Sequence, residues 1–367
     1  MKFELMHPAD QLVMFMERIY QNGLTTTSGG NLSIMDDNGD IWITPSGIDK
    51  GSLTRQDIMQ VKPDGTIIGI HTPSVELPFH QHIYKIRPDI KAVLHAHPPA
   101  CVAFSLVRKV PDVRVVPNAA LVVGEVGIAG YEVPGSKDLG DRIAEQFEAG
   151  YNTVMMWNHG VVVGDKDMFG AFMIFETFEH CAKLQVDALR IGQPRGLTQQ
   201  IELSGSRSYP MLETFVPKVH TSEEKAVRRE MCHMVHRAYR QRLIGSTQGT
   251  FSQRLSDGSF IITPYWVDRA YVEPEDLVLI KNGRCEDGKK PSRSTILHKT
   301  IYEKHPEINS IIIAYPQYIM AFAVTDVDFD ARTIPESYIQ LRNAKKLPFG
   351  YSFTNILETA ETFAPSV

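Results

Sequence analysis

The stretch "AVLHAHPP", residues 92–99, sets His95 and His97 one residue apart inside an apolar run. A β-strand alternates its faces, so both imidazoles point to one side and Ala96 to the other. Burial of imidazole is costly unless each ring finds a hydrogen-bond partner, a metal ion or water. Two readings fit: a pair of satisfied core histidines, or two ligands of one metal, neutral imidazole being the commonest protein ligand. The pair alone does not choose between them.

The elements that must position this strand occur twice. "MFMERIYQNGLTTTSGGNLSIMDDNGDIWITPSG" is followed at a nearly constant offset by "HMVHRAYRQRLIGSTQGTFSQRLSDGSFIITPYW". Further on, "TPSVELPFHQHIYKIRPDIKAVLHAHPP" is followed by "KPSRSTILHKTIYEKHPEINSIIIAYPQ". His80 pairs with His298, Tyr84 with Tyr302, Pro88 with Pro306 and Pro98 with Pro316. The repeat is a domain duplication. Each copy opens with a helical pattern, crosses Gly-rich turns and short strands such as "DIWITP" and "SFIITP", and reaches a helix before the buried strand, an α/β order. The first copy continues through "NTVMMWNHGVVVGDK", strand, turn and strand, into the long helical segment "MFGAFMIFETFEHCAKLQVDALRIG". The second has no counterpart of the "WNHG" segment and is shortened. This gives domains at 1–195 and 222–367, joined by a polar, Pro/Gly-punctuated linker over 196–221.

Composition removes several classes of function. The 367 residues are 43% hydrophobic and 22% charged, ordinary for a globular protein with more than one core. A net charge of -5 with scattered Lys and Arg offers no footprint for nucleic acid. The opening "MKFELMHPADQLVMFMERIY" reads as an amphipathic helix rather than a leader, and no segment has the length and apolarity of a membrane span. Cys101, Cys181, Cys232 and Cys285 are irregularly spaced, unlike a zinc ribbon or a disulfide framework, which points to a reducing cytoplasm.

Three phrases of the first copy resemble the class II aldolase/adducin family: "SGGNLS" with "ITPSG", "PSVE" followed by "LHAHPP", and "WNHG", over about residues 10–190. The resemblance implies a three-layer α-β-α fold with a central mixed sheet, here duplicated. It implies that His95, His97 and His159 hold one divalent cation, zinc or another, and that Glu76 approaches the open coordination position. Three protein ligands with an exchangeable position suit a catalytic rather than a structural site. It implies a phosphate pocket of Ser28, Gly30, Asn31, Ser46, Gly47 and Ser74, where glycine admits close backbone approach and small polar side chains donate to phosphate oxygens. Glu76 is then the acid/base that moves a proton at the carbon next to a carbonyl. Val75 departs from the serine that several of these aldolases carry there, and "PDVRVVPNAALVV" lacks the tyrosine that fuculose-phosphate aldolases place in that stretch.

The second copy sets Ser294 at the place of Glu76, Ile313 at His95 and Tyr315 at His97, and puts Thr250, Tyr265 and Trp266 at Asn31, Ser46 and Gly47. It cannot hold that metal. The expected function is a zinc-dependent lyase that cleaves a ketose 1-phosphate, or a close analogue, to a three-carbon ketone and an aldehyde through a metal-stabilised enediolate. The alternatives are a pentulose-phosphate epimerase, a sugar-acid decarboxylase or a dehydratase on the same scaffold, and an adducin-like interaction module without catalysis. Resembling enzymes form four-fold rings, so two duplicated chains are expected to close a pseudo-tetramer as a homodimer. In that assembly Tyr338, from "TIPESYIQL", is the expected general acid at the aldehyde oxygen.

Overall fold

The computed structural model describes residues 3–197 and 212–346. They divide into two compact units between Val186 and Asp187. The first unit runs α1 (Pro8–Gln21), β1 (Asn31–Met35), β2 (Ile41–Ile43), β3 (Met59–Val61), β4 (Ile67–Ile68), α2 (Leu77–Ile86), β5 (Ala92–Ala96), α3 (Pro99–Leu106), α4 (Pro117–Val123), β6 (Val126–Ala129), α5 (Lys137–Glu148), β7 (Thr153–Met156), β8 (Val161–Asp165) and α6 (Met168–Leu189). Its eight strands lie in the order β4-β3-β2-β1-β5-β8-β7-β6. Only β6 and β7 pair in parallel, so the sheet is mixed.

Strand alternation builds the three layers. Leu32, Leu94, Val161 and Val163 face a layer formed by α1 and α6, through Leu12, Phe15, Phe172 and Phe175. Ile43, Val93, Val154 and Val162 face the opposite layer, α2 and α5, through Phe79, Ile83, Ile143 and Phe147. Strand β5 is central, with His95 opposite Asn31 of β1 and Val162 of β8. All five of its residues are buried, so its apolar run is what a strand covered on both faces requires.

The second unit contains β9 (Thr214–Phe215), α7 (Ser222–Arg240), β10 (Thr250–Arg254), β11 (Phe260–Ile262), β12 (Val278–Lys281), β13 (Arg284–Glu286), α8 (Thr295–Lys304), β14 (Ser310–Ile313), α9 (Gln317–Ala323) and α10 (Pro335–Leu341). Its sheet order, β14-β10-β11-β12-β13-β9, repeats β5-β1-β2-β3-β4. The register repeats as well: Thr250 lies opposite Ile313 as Asn31 lies opposite His95. Val235 and Ile261 belong to one core, and Phe260, Ile262 and Tyr302 to the other. Among the described residues nothing corresponds to β6, β7 and β8, as the shortened second copy implies.

Two details differ from the sequence reading. The units divide at 186/187 rather than at 195, because the last turn of α6 lies with the second unit, where Asp187 accepts a hydrogen bond of 2.9 Å from Gln317 Nε2. The linker expected over 196–221 is not wholly irregular: Thr214–Phe215 pairs in parallel with β13, while residues 198–211 lie outside the described residues. No described helix is long and apolar enough to cross a membrane.

Candidate metal centre

Strand β5 delivers His95 on its own body and His97 just past its end. Register carries His95 onto the α2 face with Val93, and its ring meets the edge of Phe79 at 6.1 Å. The chain leaves His97 straight into α3, whose first free N–H groups, of Ala100 and Cys101, donate to the two carboxylate oxygens of buried Glu179, at 3.0 Å each. A carboxylate at a helix N-terminus is favoured by the dipole, and here it anchors the exit of the histidine strand.

His159 comes from the turn between β7 and β8. Asn158 supplies the left-handed residue that this turn needs, at φ 58°. Gly160 follows because nothing larger fits: a Cβ there would lie 2.5 Å from the Ala96 carbonyl oxygen and 2.8 Å from the His97 ring. Gly29 meets the same limit, its Cβ position lying 2.7 Å from His97 Nδ1. The glycines of "WNHG" and "SGG" therefore make room for the histidines.

The three imidazoles converge. Ring centroids are 4.9 Å apart for His95–His97 and His95–His159 and 5.1 Å for His97–His159. One ligand nitrogen from each falls within 4.8 Å of the others. Glu76, the N-cap residue of α2, joins them, with Oε2 3.4 Å from His95 Nε2 and Oε1 3.9 Å from His159 Nε2.

Charge states follow from burial. Burial, and secondarily the neighbouring His159, pushes His95 down to about 3, and burial with the nearby His95 pushes His97 down to about 4. Burial likewise lowers His159, against the pull of Glu76. All three rings are thus neutral near pH 7 and carry lone pairs. His95 donates its Nδ1–H to the Val161 carbonyl at 3.0 Å, which turns the Nε2 lone pair toward the cluster. Three buried atoms there, His95 Nε2, His97 Nε2 and Glu76 Oε1, have no hydrogen-bond partner, and His159 turns its Nε2 toward Glu76. Orphaned lone pairs on neutral nitrogens beside a carboxylate are costly in a bare protein and fit a divalent cation.

The turns expected to bind phosphate are tied to one another by backbone hydrogen bonds. Ser74 N–H donates to the Thr44 carbonyl at 3.2 Å, Ser46 N–H to the Thr72 carbonyl at 2.9 Å, and Lys50 N–H to the Thr27 carbonyl at 2.8 Å. These bonds tie the Ser28–Asn31, Ser46–Gly47 and Ser74 turns together. Ser28 and Gly47 are exposed, and Gly30 and Gly47 take left-handed φ values of 74° and 71°. The side chains are partly engaged: Ser74 Oγ accepts the Glu76 N–H at 3.3 Å, and Asn31 Nδ2 donates to Glu76 Oε2 at 2.6 Å. Val75 is exposed.

Sequence reasoning missed Lys50, whose buried Nζ donates to the Pro45 carbonyl at 2.5 Å and which burial brings down to about 8. Its counterpart Arg269, fully buried, donates to the carbonyls of Gly249, Val267 and Pro264. It also missed Ser33, His80 and Tyr84, which form a buried hydrogen-bonded group behind Asn31. Their identity in the second copy, as Ser252, His298 and Tyr302, was the available signal.

In the second unit the equivalent place is empty of ligands. Ser294 is the N-cap residue of α8, as Glu76 is of α2, and Thr250 bonds Ser292 at 2.7 Å. Tyr338 lies on α10, half exposed, after an Asp330-capped 3-10 turn that mirrors the Asp112-capped turn before α4. It belongs to the second unit, whereas His95, His97 and His159 belong to the first.

The family model described as "Class II Aldolase and Adducin N-terminal domain" matches residues 10–186 and again 229–360. The chain is 34% identical over 174 residues to an L-fuculose phosphate aldolase of Methanococcus maripaludis, 47% of this chain and 93% of the relative. It is 32% identical over 193 residues to a 5-deoxy-D-ribulose 1-phosphate aldolase of Bacillus thuringiensis, 52% and 89%. To a 3-oxo-tetronate 4-phosphate decarboxylase of Pectobacterium atrosepticum it is 32% identical over 178 residues, 47% and 81%. A solved structure of L-fuculose 1-phosphate aldolase, 31% identical, covers 53% of this chain and 93% of its own, with a TM-score of 0.49.

Proposed function

This chain belongs to the class II aldolase and adducin family, and we propose that its first unit is a zinc-dependent lyase that cleaves a ketose 1-phosphate or a close analogue to a three-carbon ketone and an aldehyde. The observation that carries the reading is the convergence of His95, His97 and His159 beside Glu76, with the buried His95 Nε2, His97 Nε2 and Glu76 Oε1 left partnerless. When bound there, a divalent cation supplies Lewis acidity toward a carbonyl oxygen, easing the negative charge left by breaking the adjacent carbon–carbon bond.

The remaining work falls to the protein. As the bond breaks, the hydroxyl-bearing carbon becomes an aldehyde and its oxygen gives up a proton. That proton passes by way of Tyr338 and solvent to Glu76, the carboxylate nearest the histidines, which then delivers a proton to the electron pair left on the carbon next to the carbonyl. The small side chains and N–H groups of Ser28, Gly30, Asn31, Ser46, Gly47 and Ser74 hold the phosphate, with the second Nδ2 hydrogen of Asn31 left for a substrate oxygen. Tyr338 exchanges the proton at the aldehyde oxygen, in a homodimer whose duplicated chains form a pseudo-tetramer.

A decarboxylase reading has its own support in the relative that acts on a 3-oxo acid phosphate. Loss of carbon dioxide leaves the same charge next to a carbonyl, so the first unit suits both. A screen of ketose 1-phosphates, 3-oxo sugar-acid phosphates and their unphosphorylated forms, scored for aldehyde and for carbon dioxide, separates them. Glu76→Gln is expected to abolish turnover while metal stays bound; wild-type rates in that variant would overturn the assignment. Tyr338→Phe is expected to lose turnover with metal and fold retained, and full activity would remove Tyr338 from the mechanism.

A further inference from the structure

Behind Glu76 lies a line of buried side chains whose directions the carboxylate sets. An ionised carboxylate only accepts, so the Asn31 atom 2.6 Å from Glu76 Oε2 is the amide nitrogen. Asn31 Oδ1 then faces His80 Nε2 at 2.6 Å, and that nitrogen must carry the hydrogen. A neutral His80 leaves Nδ1 as an acceptor for the Ser33 hydroxyl at 2.7 Å, and Ser33 Oγ in turn accepts from the Tyr84 hydroxyl at 2.7 Å. Every donor points toward Glu76. An amide cannot pass a proton along such a line, so it orients and does not relay.

The second unit is an internal control. There Tyr302, Ser252 and His298 keep the same contacts, at 2.7 and 2.6 Å, with His298 fully buried. The line stops at that point. His298 Nε2 has no hydrogen-bond partner, because Thr250, at the position of Asn31, has no group that reaches it and turns its hydroxyl to Ser292 at 2.7 Å and to Ser294, at the position of Glu76, at 3.3 Å. Tyr, Ser and His therefore persist where no histidine cluster exists and serve packing in both units. The asparagine and the glutamate are missing together, from the unit that lacks the ligands.

We propose that Asn31, its amide oriented by His80, is the positioning residue that holds the Glu76 carboxylate against the His95, His97 and His159 cluster. The proposal rests on the metal-centre reading but not on any particular substrate. It makes the first link of the line specific to the site and the other links general to the fold. Partners of this kind, acting on a ligand through its hydrogen bonds, typically change metal affinity or activity by roughly 10- to 100-fold.

The test is a cycle with Asn31→Val, isosteric with the threonine that the second unit accommodates at the same register, and Glu76→Ala. Co2+ binding is measured by chelator competition and by the visible spectrum of the Co2+-loaded protein, with thermal melting as the check on folding. Asn31→Val is expected to weaken Co2+ by about 10- to 100-fold and shift the spectrum when Glu76 is present, and to change neither by more than about 2-fold in the Glu76→Ala background. Equal effects in both backgrounds, or none in either, would overturn the proposal. Should Asn31→Val not fold, Asn31→Thr takes its place in the same cycle. On whatever substrate is found, His80→Gln should lower kcat in the wild type and have no further effect on kcat in Asn31→Val, with KM little changed. Persistence of its full effect there would make His80 structural only. If no substrate is turned over, the lyase reading fails while the Co2+ cycle still decides this one.

Discussion

Replacing Gly160 with alanine tests whether the histidine cluster is held by close packing. A Cβ there lies 2.5 Å from the Ala96 carbonyl oxygen, 2.8 Å from His97 Cδ2 and 3.2 Å from His95 Cε1. Ordinary contact begins near ~3.5 Å, so the turn and strand must separate by about 1 Å. None of the three obstacles is the end of a flexible chain: one is β5 backbone, and two are the rings whose meeting forms the site. Overpacking of this kind costs about 1–3 kcal/mol. In a unit of this size that lowers the melting temperature by roughly 2–4 °C per kcal/mol. The larger effect is on geometry, because a displacement of about 1 Å in a catalytic constellation costs roughly 100-fold in rate. The assay pairs a melting curve with chelator-competition metal binding. Wild-type affinity together with an unchanged melting temperature would refute the packing argument, since the methyl would then have found room that the structure denies it.

Gly140→Ala makes the opposite prediction. It sits inside α5, where the new Cβ would lie 3.5 Å from Phe79 Cβ, an ordinary contact, so removing a helical glycine should stabilise by about 0.5–1 kcal/mol, and a lowered melting temperature would contradict it. Acid should destabilise the metal-free protein early. Burial brings His298 down to about 3 and His180 to about 4, and pushes His80 well below its ordinary value. The unfolded chain takes up these protons below about pH 6.5 while the folded one does not, so stability is present above that pH and falls toward pH 4 by roughly 1.4 kcal/mol per unit for each histidine. A urea midpoint that stays flat between pH 7 and 5 would contradict the buried neutral rings.

The duplication and the ligand-bearing phrases were legible because they depend on order. "TPSVELPFHQHIYKIRP" against "KPSRSTILHKTIYEKHP" already aligned Glu76 with Ser294 and His80 with His298, and the sheet register repeats that alignment. The convergence of His95 with His97 follows from strand alternation, a local property. What the sequence did not show depends on contacts across long separations. Asn31 meets Glu76 and His80 only because β1 lies beside β5 and α2 crosses that face, so an asparagine in a Gly-rich turn read simply as a phosphate donor. Glu179, one of several acidic residues on a long helix, anchors α3 from 78 and 79 positions away. Lys50 carries no local signal of its burial, which comes from the bridging of three turns. The pairing of Thr214–Phe215 with β13 is two residues long and leaves no periodicity to read.

The central claim is that one unit of this chain holds a catalytic metal and the other holds none. Metal content of the purified, desalted protein, measured by mass spectrometry against protein concentration, tests it most directly. The account predicts close to one divalent ion per chain in the wild type, nearly none after His95→Ala or His97→Ala, and cleavage activity that follows the metal when it is stripped and restored. Two ions per chain, or an ion that survives the double replacement, would contradict it.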